Sequence, residues 1–246
     1  MRIIISPAKN MRDYQSLNMK IDTPIFIDKA KNILSKLKTL SKSELTTLWK
    51  CNSKMVDALY EVLHSTNLNQ DLIPAIFRYD GLVYKNIDPS TFNESELNYI
   101  NKNLRIISGF YGVLKPFDGI IKYRLEMQTR LKIDNFNNLY DYWGDSLYKE
   151  VLDDSHIIIN LASKEYSKCI EPYLDKKDKF ITIAFMEKCG NKYISKNTYS
   201  KIARGLMVNY LVKNNITNIE DIKSFNLDGY TFNKELSSEN LFVFSR

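Results

Sequence analysis

The side chains best suited to chemistry in this sequence are cations held at the ends of apolar runs. Between Leu104 and Leu131 the segment LRIISGFYGVLKPFDGIIKYRLEMQTRL carries Arg105, Lys115, Lys122, Arg124 and Arg130, with Glu126 among them. Lys9 directly follows the first apolar run, Lys50 and Lys54 flank a short polar break, and Lys201 and Arg204 open a long amphipathic stretch. Guanidinium and ammonium groups on rigid supports bind anions, above all phosphate. Asp80, Glu126, Asp145 and Glu165 fall near strand ends or breaks in the same way. Carboxylates beside cations exceed what phosphate binding needs, and are the groups that general acid–base catalysis uses. The plainer alternative for any one of these residues is a solvated surface charge or a structural ion pair.

Apolar patterning identifies the elements that would hold them. Leu104–Ser108 reads as a buried strand, broken by Gly109, Gly112, Pro116 and Gly119 into a turn-rich loop that presents the central cations. Arg2–Ile5 is a second buried strand, ended by Ser6-Pro7, which leaves Lys9 at a strand's carboxyl end, where open α/β sheets bind ligands. Three helices follow, over Phe26–Leu40, Glu44–Cys51 and Lys54–His64, with Ser41 or Ser43 as a cap of the second. The last two are a helix–hairpin–helix-like pair, able to turn backbone N–H groups toward phosphate, although no glycine lies in Lys50–Met55. An ordinary helical pair packed on the sheet competes with that reading.

Asp80-Gly81 predicts a turn leading into a strand at Leu82–Tyr84, and Thr91 or Asn93 caps a helix over Glu94–Asn101. Leu139–Leu152 has helical spacing with Gly144-Asp145 inside it, a glycine that costs about 1 kcal/mol in a helix interior. His156–Ala162 is a buried strand, and Ser163 caps the turn that brings Glu165 just beyond it. Lys179–Glu187 and Lys192–Ser195 form a hairpin. A helix from Asn197 or Thr198 to Asn214 buries Ile202, Leu206, Met207, Tyr210 and Leu211, with Lys201 and Arg204 facing away. Asn218 caps a short helix, and Tyr230–Phe232 with Leu241–Phe244 closes the chain as a hairpin. The alternation predicts an α/β (mixed α+β) fold, one domain over residues 1–246, a mixed sheet surrounded by helices.

Composition excludes several classes. The chain carries 35 Lys and Arg against 29 Asp and Glu, a net charge of +6 and a pI near 9.0, which favours an anionic partner. With three scattered cysteines and two histidines, no metal-ligand spacing and no Ser/His/Asp or Cys/His constellation can be named. Phosphate loops of the GxxxxGK[ST] or GxGxxG kind are absent, and no apolar run suits a signal peptide or membrane span. The expectation is a cytoplasmic monomer without cofactor or metal.

ISPAKN at Ile5–Asn10, DYQS at Asp13–Ser16 and the Leu104–Met127 segment resemble signature segments of the YaaA family. So do LYDYWGD at Leu139–Asp145, INLASKEY at Ile159–Tyr166, KIARGLM at Lys201–Met207 and FNLDGYTF at Phe225–Phe232. The resemblance implies a bacterial protein of the peroxide-stress response that limits unincorporated iron and hydroxyl-radical damage to DNA. It also implies non-specific binding of double-stranded DNA through a basic cleft with a helix–hairpin–helix element. Lys9, Lys50, Lys54, Arg105, Lys115, Arg124, Arg130, Lys201 and Arg204 are the candidate contacts. The alternative is an enzyme acting on a nucleotide or nucleobase through an acid–cation pocket at the strand ends.

Overall fold

The computed structural model describes residues 1–14 and 20–246. Its centre is a set of strands rich in apolar and β-branched residues, four of them short and almost wholly buried and one longer with alternating burial, as expected of a parallel sheet covered by helices. These are β1 (Arg2–Ile5), β2 (Leu104–Ser108), β4 (Ile157–Asn160), β5 (Lys179–Cys189) and β8 (Leu241–Ser245). They run parallel in the spatial order β8-β5-β4-β1-β2. In register, Ile3 stands between Leu104 and Ile159. Three antiparallel pieces complete an eight-stranded mixed sheet: β3 (Gly112–Leu114) on β2, β6 (Lys192–Ile194) on β5, and β7 (Thr231–Phe232) on β8.

Counted along the chain, the parallel strands stand in the order 2-1-3-4-5. The chain leaves β1 toward one side of the sheet and later fills the other side, so β1 and β4 are neighbours whose connections diverge. Such a reversal opens a crevice outside the carboxyl ends of the two strands.

The helices that frame the site are α1 (Ile27–Lys38), α2 (Lys42–Trp49), α3 (Ser53–Ser65), α4 (Leu82–Ile87), α5 (Glu94–Asn103) and α6 (Asn197–Lys213), besides shorter pieces elsewhere. Local chemistry explains their starts. Ser41 and Glu44 form a capping box on α2, Asn93 and Glu96 another on α5, and Asn52 caps α3 through the Met55 N–H. Lys50 takes the left-handed conformation (φ 49°) between α2 and α3, so this link turns without a glycine.

Three expectations need correction. Leu82–Tyr84 is helical, as the start of α4, because Gly81 ends the preceding strand and releases the next turn. The helix expected over Leu139–Leu152 is two pieces, Leu139–Trp143 and Ser146–Val151. Gly144 separates them at φ +52°, ψ −140°, a backbone state that suits glycine and no helix. The buried face of α6 is Ala203, Gly205, Met207, Val208 and Leu211, while Ile202, Leu206 and Tyr210 are only half-buried. The cause is Gly205: α6 presses so closely on α4 that a Cβ there would collide with the Val83 carbonyl oxygen and lie 2.7 Å from Asn86 Cβ.

Gly205→Ala should therefore push α6 off α4 and cost roughly 1–3 kcal/mol in denaturant unfolding; unchanged stability would show that the helices do not meet this closely. Asp118 gives a second prediction. It is buried, accepts the Lys115 N–H at 2.8 Å, and burial pushes its pKa up to about 6 from 3.8. The folded state holds this proton more tightly than the unfolded chain, so stability falls as pH rises from about 4 through 6. At about 1.4 kcal/mol per pH unit, the loss is at most roughly 3 kcal/mol. Asp118→Asn, which keeps the acceptor, should flatten that slope and be more stable than wild type at neutral pH. Equal pH profiles of urea unfolding would refute it.

Candidate functional site: a cationic cleft at the strand ends

The crevice begins where β1 and β4 stop. Ser6 Oγ accepts the Ser163 N–H at 2.8 Å and donates to Ser163 Oγ at 3.3 Å, tying the two exits together. Tyr84 of α4 donates its hydroxyl to the Ser6 carbonyl at 3.0 Å. Beyond Ser6 the chain pairs again, Asn10 opposite Asp80 and Met11 opposite Tyr79, which places Lys9 beside Asp80. The central loop arrives from the other side. Gly109 lets the Leu125–Met127 backbone come close, since a Cβ there would lie 2.9 Å from the Leu125 carbonyl oxygen. That contact carries Arg124 and Glu126 to the cleft.

Three adjoining cavities result, and Lys9 and Arg124 wall all of them. The first, of about 430 Å³, lies at the strand ends between Ser6–Asn10, Asp80–Tyr84, Tyr123–Glu126, Ser163–Tyr166 and the start of α6. The second, of about 930 Å³, is a groove between the α1–α2 region and the Gln128–Lys132 loop. Six cations line it, Lys9, Lys36, Lys50, Arg124, Arg130 and Lys132, against Glu44 and Glu126. The third, of about 500 Å³, is apolar, between Leu34, Leu37, Trp49, Leu59 and Leu63 on one side and Phe110 and Tyr123 on the other. A further cavity near Asp13 also holds cations, but there Arg78 and Lys122 meet the Asp13 carboxylate at 3.0 and 2.5 Å, so their charge is answered internally.

Charge in the strand-end pocket is unevenly matched. Glu126 Oε1 lies 2.9 Å from Lys9 Nζ and 3.8 Å from Arg124, one carboxylate between two cations. Arg204 has no carboxylate within 4.0 Å among the described residues, and burial alone pulls its pKa down. The Nε atoms of Arg124 and Arg204 are both buried without a hydrogen-bond partner there. On the facing wall, Glu165 accepts the Gln128 N–H at 3.2 Å. Burial raises its pKa, the Glu126 charge adds to that, and Lys9 works against it. Behind the pocket, the Tyr123 hydroxyl bonds to Tyr79 at 2.5 Å and to Ser108 at 2.7 Å, and burial pushes Tyr123 up to about 12. Those phenols are neutral.

The candidates from the sequence divide. Lys9, Arg124, Lys201, Arg204, Asp80, Glu126 and Glu165 meet in the strand-end pocket, and Lys50 and Arg130 line the groove. Arg105 is the clear departure: it lies in a buried strand and donates to the carbonyls of Asn101 at 3.1 Å and Leu104 at 2.7 Å, far from any solvent-borne anion. Lys54 and Lys115 are exposed outside these cavities, and Asp145 pairs with Lys149 at 2.5 Å on the helix surface. Ser6, Tyr84, Tyr123, Lys36 and Lys132 also line the cleft, and the place of the last four in the sequence does not single them out. Ser6 alone carries a signal there, as a hydroxyl ending a buried strand. Gln15 and Ser16 of the DYQS segment lie outside the described residues.

Among the described residues no three His, Cys, Asp or Glu side chains group as metal ligands, and no helix is long and apolar enough to cross a membrane. The cysteines there are free, and burial pushes the Cys169 thiol up to about 12, which suppresses its thiolate.

Sheet and cleft together define an α/β protein of the open, mostly parallel kind, with an acid- and cation-lined crevice at its strand reversal. Residues 1–236 match the family model of the peroxide stress protein YaaA, and the chain belongs to that family. It is 48% identical to a UPF0246 protein of Agathobacter rectalis over 246 residues, 100% of this chain and 99% of that one. UPF0246 proteins of Ligilactobacillus salivarius (44%, 99% of both chains) and Clostridioides difficile (40%, 99% of both chains) are similar over the same span.

The shared wall predicts a coupled titration. The Glu165 carboxyl should titrate above its ordinary range in carbon-detected NMR, and Lys9→Ala should move it higher still, because Lys9 is the cation that lowers it. A midpoint that stays in place or falls in Lys9→Ala would show that Lys9 does not reach this carboxyl.

Proposed function

We propose that this is a cytoplasmic DNA-binding protein of the peroxide-stress response, acting as a monomer to limit iron-dependent hydroxyl-radical damage. The observation that carries the reading is the groove. Six cations from α1, the α2–α3 link, the segment after β1 and the central loop converge there against two carboxylates. A duplex recognised through phosphate needs that pattern and needs no base contact. Family membership supports the stress context. The α2–α3 link adds to the groove through Lys50, whose left-handed backbone stands in for the glycine of a helix–hairpin–helix turn. Any effect on iron is indirect in this reading: coating DNA keeps its phosphates from collecting the cation.

Binding to duplexes of unrelated sequence should be of similar strength, and log affinity should fall linearly with log salt by roughly 0.9 per phosphate contact. Arg124→Ala and Arg130→Ala should each lower the slope by about 1 and leave the thermal midpoint nearly unchanged. Fluorescence anisotropy over a salt series tests this. No binding at low salt, or binding indifferent to salt, would rule the reading out.

A further inference from the structure

The strand-end pocket is too small for a duplex and is built differently from the groove beside it. Its cations fall into two groups. Lys9 and Arg124 share Glu126, whereas Lys201 and Arg204, one turn apart on α6, face no carboxylate within 4.0 Å among the described residues. The undescribed residues, Gln15 to Met19, include no acid that could supply one. Arg204 is drawn inward because Gly205 seats α6 against α4, and its buried Nε has no partner among the described residues. A guanidinium desolvated by its surroundings and left unanswered is costly unless an anion completes it.

The opposite wall has the reverse character. Glu165, Glu126 and Asp80 bring carboxylates to the lining, Glu126 held by Lys9 and Arg124 and Asp80 3.4 Å from Lys85, and Tyr123 adds an aromatic ring backed by Phe110. A ligand that fits must carry an anionic group at one end and hydrogen-bond donors on a flat ring at the other. The volume, about 430 Å³, suits a molecule of nucleotide size, larger than an amino acid and smaller than a dinucleotide. The location is where open sheets of this strand order hold mononucleotides.

We propose that the strand-end pocket is a binding site for one nucleoside monophosphate unit, its phosphate on Lys201 and Arg204 and the amino-bearing edge of its base toward Glu165 and Glu126. Free nucleotides and a nucleotide extruded from a DNA strand share this chemistry. The site does not depend on duplex binding in the groove, since Lys201 and Arg204 line only the pocket and Arg130 and Lys132 only the groove.

Isothermal titration of the full chain with the deoxynucleoside 5′-monophosphates, the matching nucleosides and inorganic phosphate tests the proposal. A monophosphate should bind more tightly than its nucleoside and than phosphate. Arg204→Gln should weaken it roughly tenfold or more, the scale of a lost charge-assisted hydrogen bond, while Arg204→Lys retains most of the affinity. Lys201→Gln, at an exposed position, is the second test should Arg204→Gln fail to fold. Glu165→Gln should change the ranking among the four bases. Duplex affinity at fixed salt should change less than threefold in the Lys201 and Arg204 variants, and Arg130→Gln should show the opposite pattern. Duplexes containing 2-aminopurine separate the two sources. A fluorescence rise on binding that Arg204→Gln abolishes identifies an extruded nucleotide, and no rise alongside monophosphate binding identifies the free one. The proposal fails if no monophosphate binds at millimolar concentration, if both Lys201→Gln and Arg204→Gln bind as wild type does, or if inorganic phosphate binds as tightly as every monophosphate.

Discussion

The cleft of this molecule is arranged around the bond between the ends of β1 and β4, where Ser6 Oγ accepts the Ser163 N–H. Two parallel strands at a reversal of strand order have no covalent reason to keep their exits together, because their connections run apart. A short side chain from one exit, bonded to the backbone of the other, holds the crevice at a fixed width. The remaining parts attach to that pair. Tyr84 anchors α4 on the Ser6 carbonyl, α4 receives α6 at Gly205, and the Asn10–Asp80 pairing holds Lys9 at the rim. Cations far apart in sequence thus reach one place through short, rigid links.

Electrostatics explains why the assembled cleft tolerates its own charge. Like charges at close range repel by about 1 kcal/mol per pair even in water, and the cleft gathers many. Glu126 offsets part of this by serving Lys9 and Arg124 together, and Glu165 stands on the facing wall, where burial raises its pKa. The neutral hydroxyls of Tyr79, Tyr123 and Ser108 bond to one another behind the site. They supply a rigid polar floor with no further charge.

Much of this architecture is legible in the amino-acid sequence alone. The runs at Arg2–Ile5, Leu104–Ser108 and Ile157–Asn160 announce themselves, because a strand covered on both faces has no polar side to hide. Lys9, Arg124, Lys201 and Arg204 are identifiable as one cluster, since strands that run parallel bring their carboxyl ends to one edge. The failures have equally local causes. Arg105 looks like its neighbours in composition, but alternation along a fully buried strand gives no sign of which residues point inward. The stripe assigned to α6 follows side-chain size, whereas the actual contact is made by the absence of a side chain at Gly205. Leu82–Tyr84 is apolar enough for a strand and too short for periodicity to decide. The groove cations Lys36 and Lys132 leave no trace in the sequence pattern, since only the packing of α1 against the central loop brings them together.

The placement of Glu126 gives the cleft a property of an ion-exchange resin. With the site empty, Lys9 and Arg124 are already provided with a counter-ion, and this one is tethered by the chain. An incoming anion competes for these cations with a carboxylate that stays tethered to the chain, a partner of fixed local concentration. Only a polyvalent or many-toothed anion, which engages several cations at once, has enough advantage to take the place.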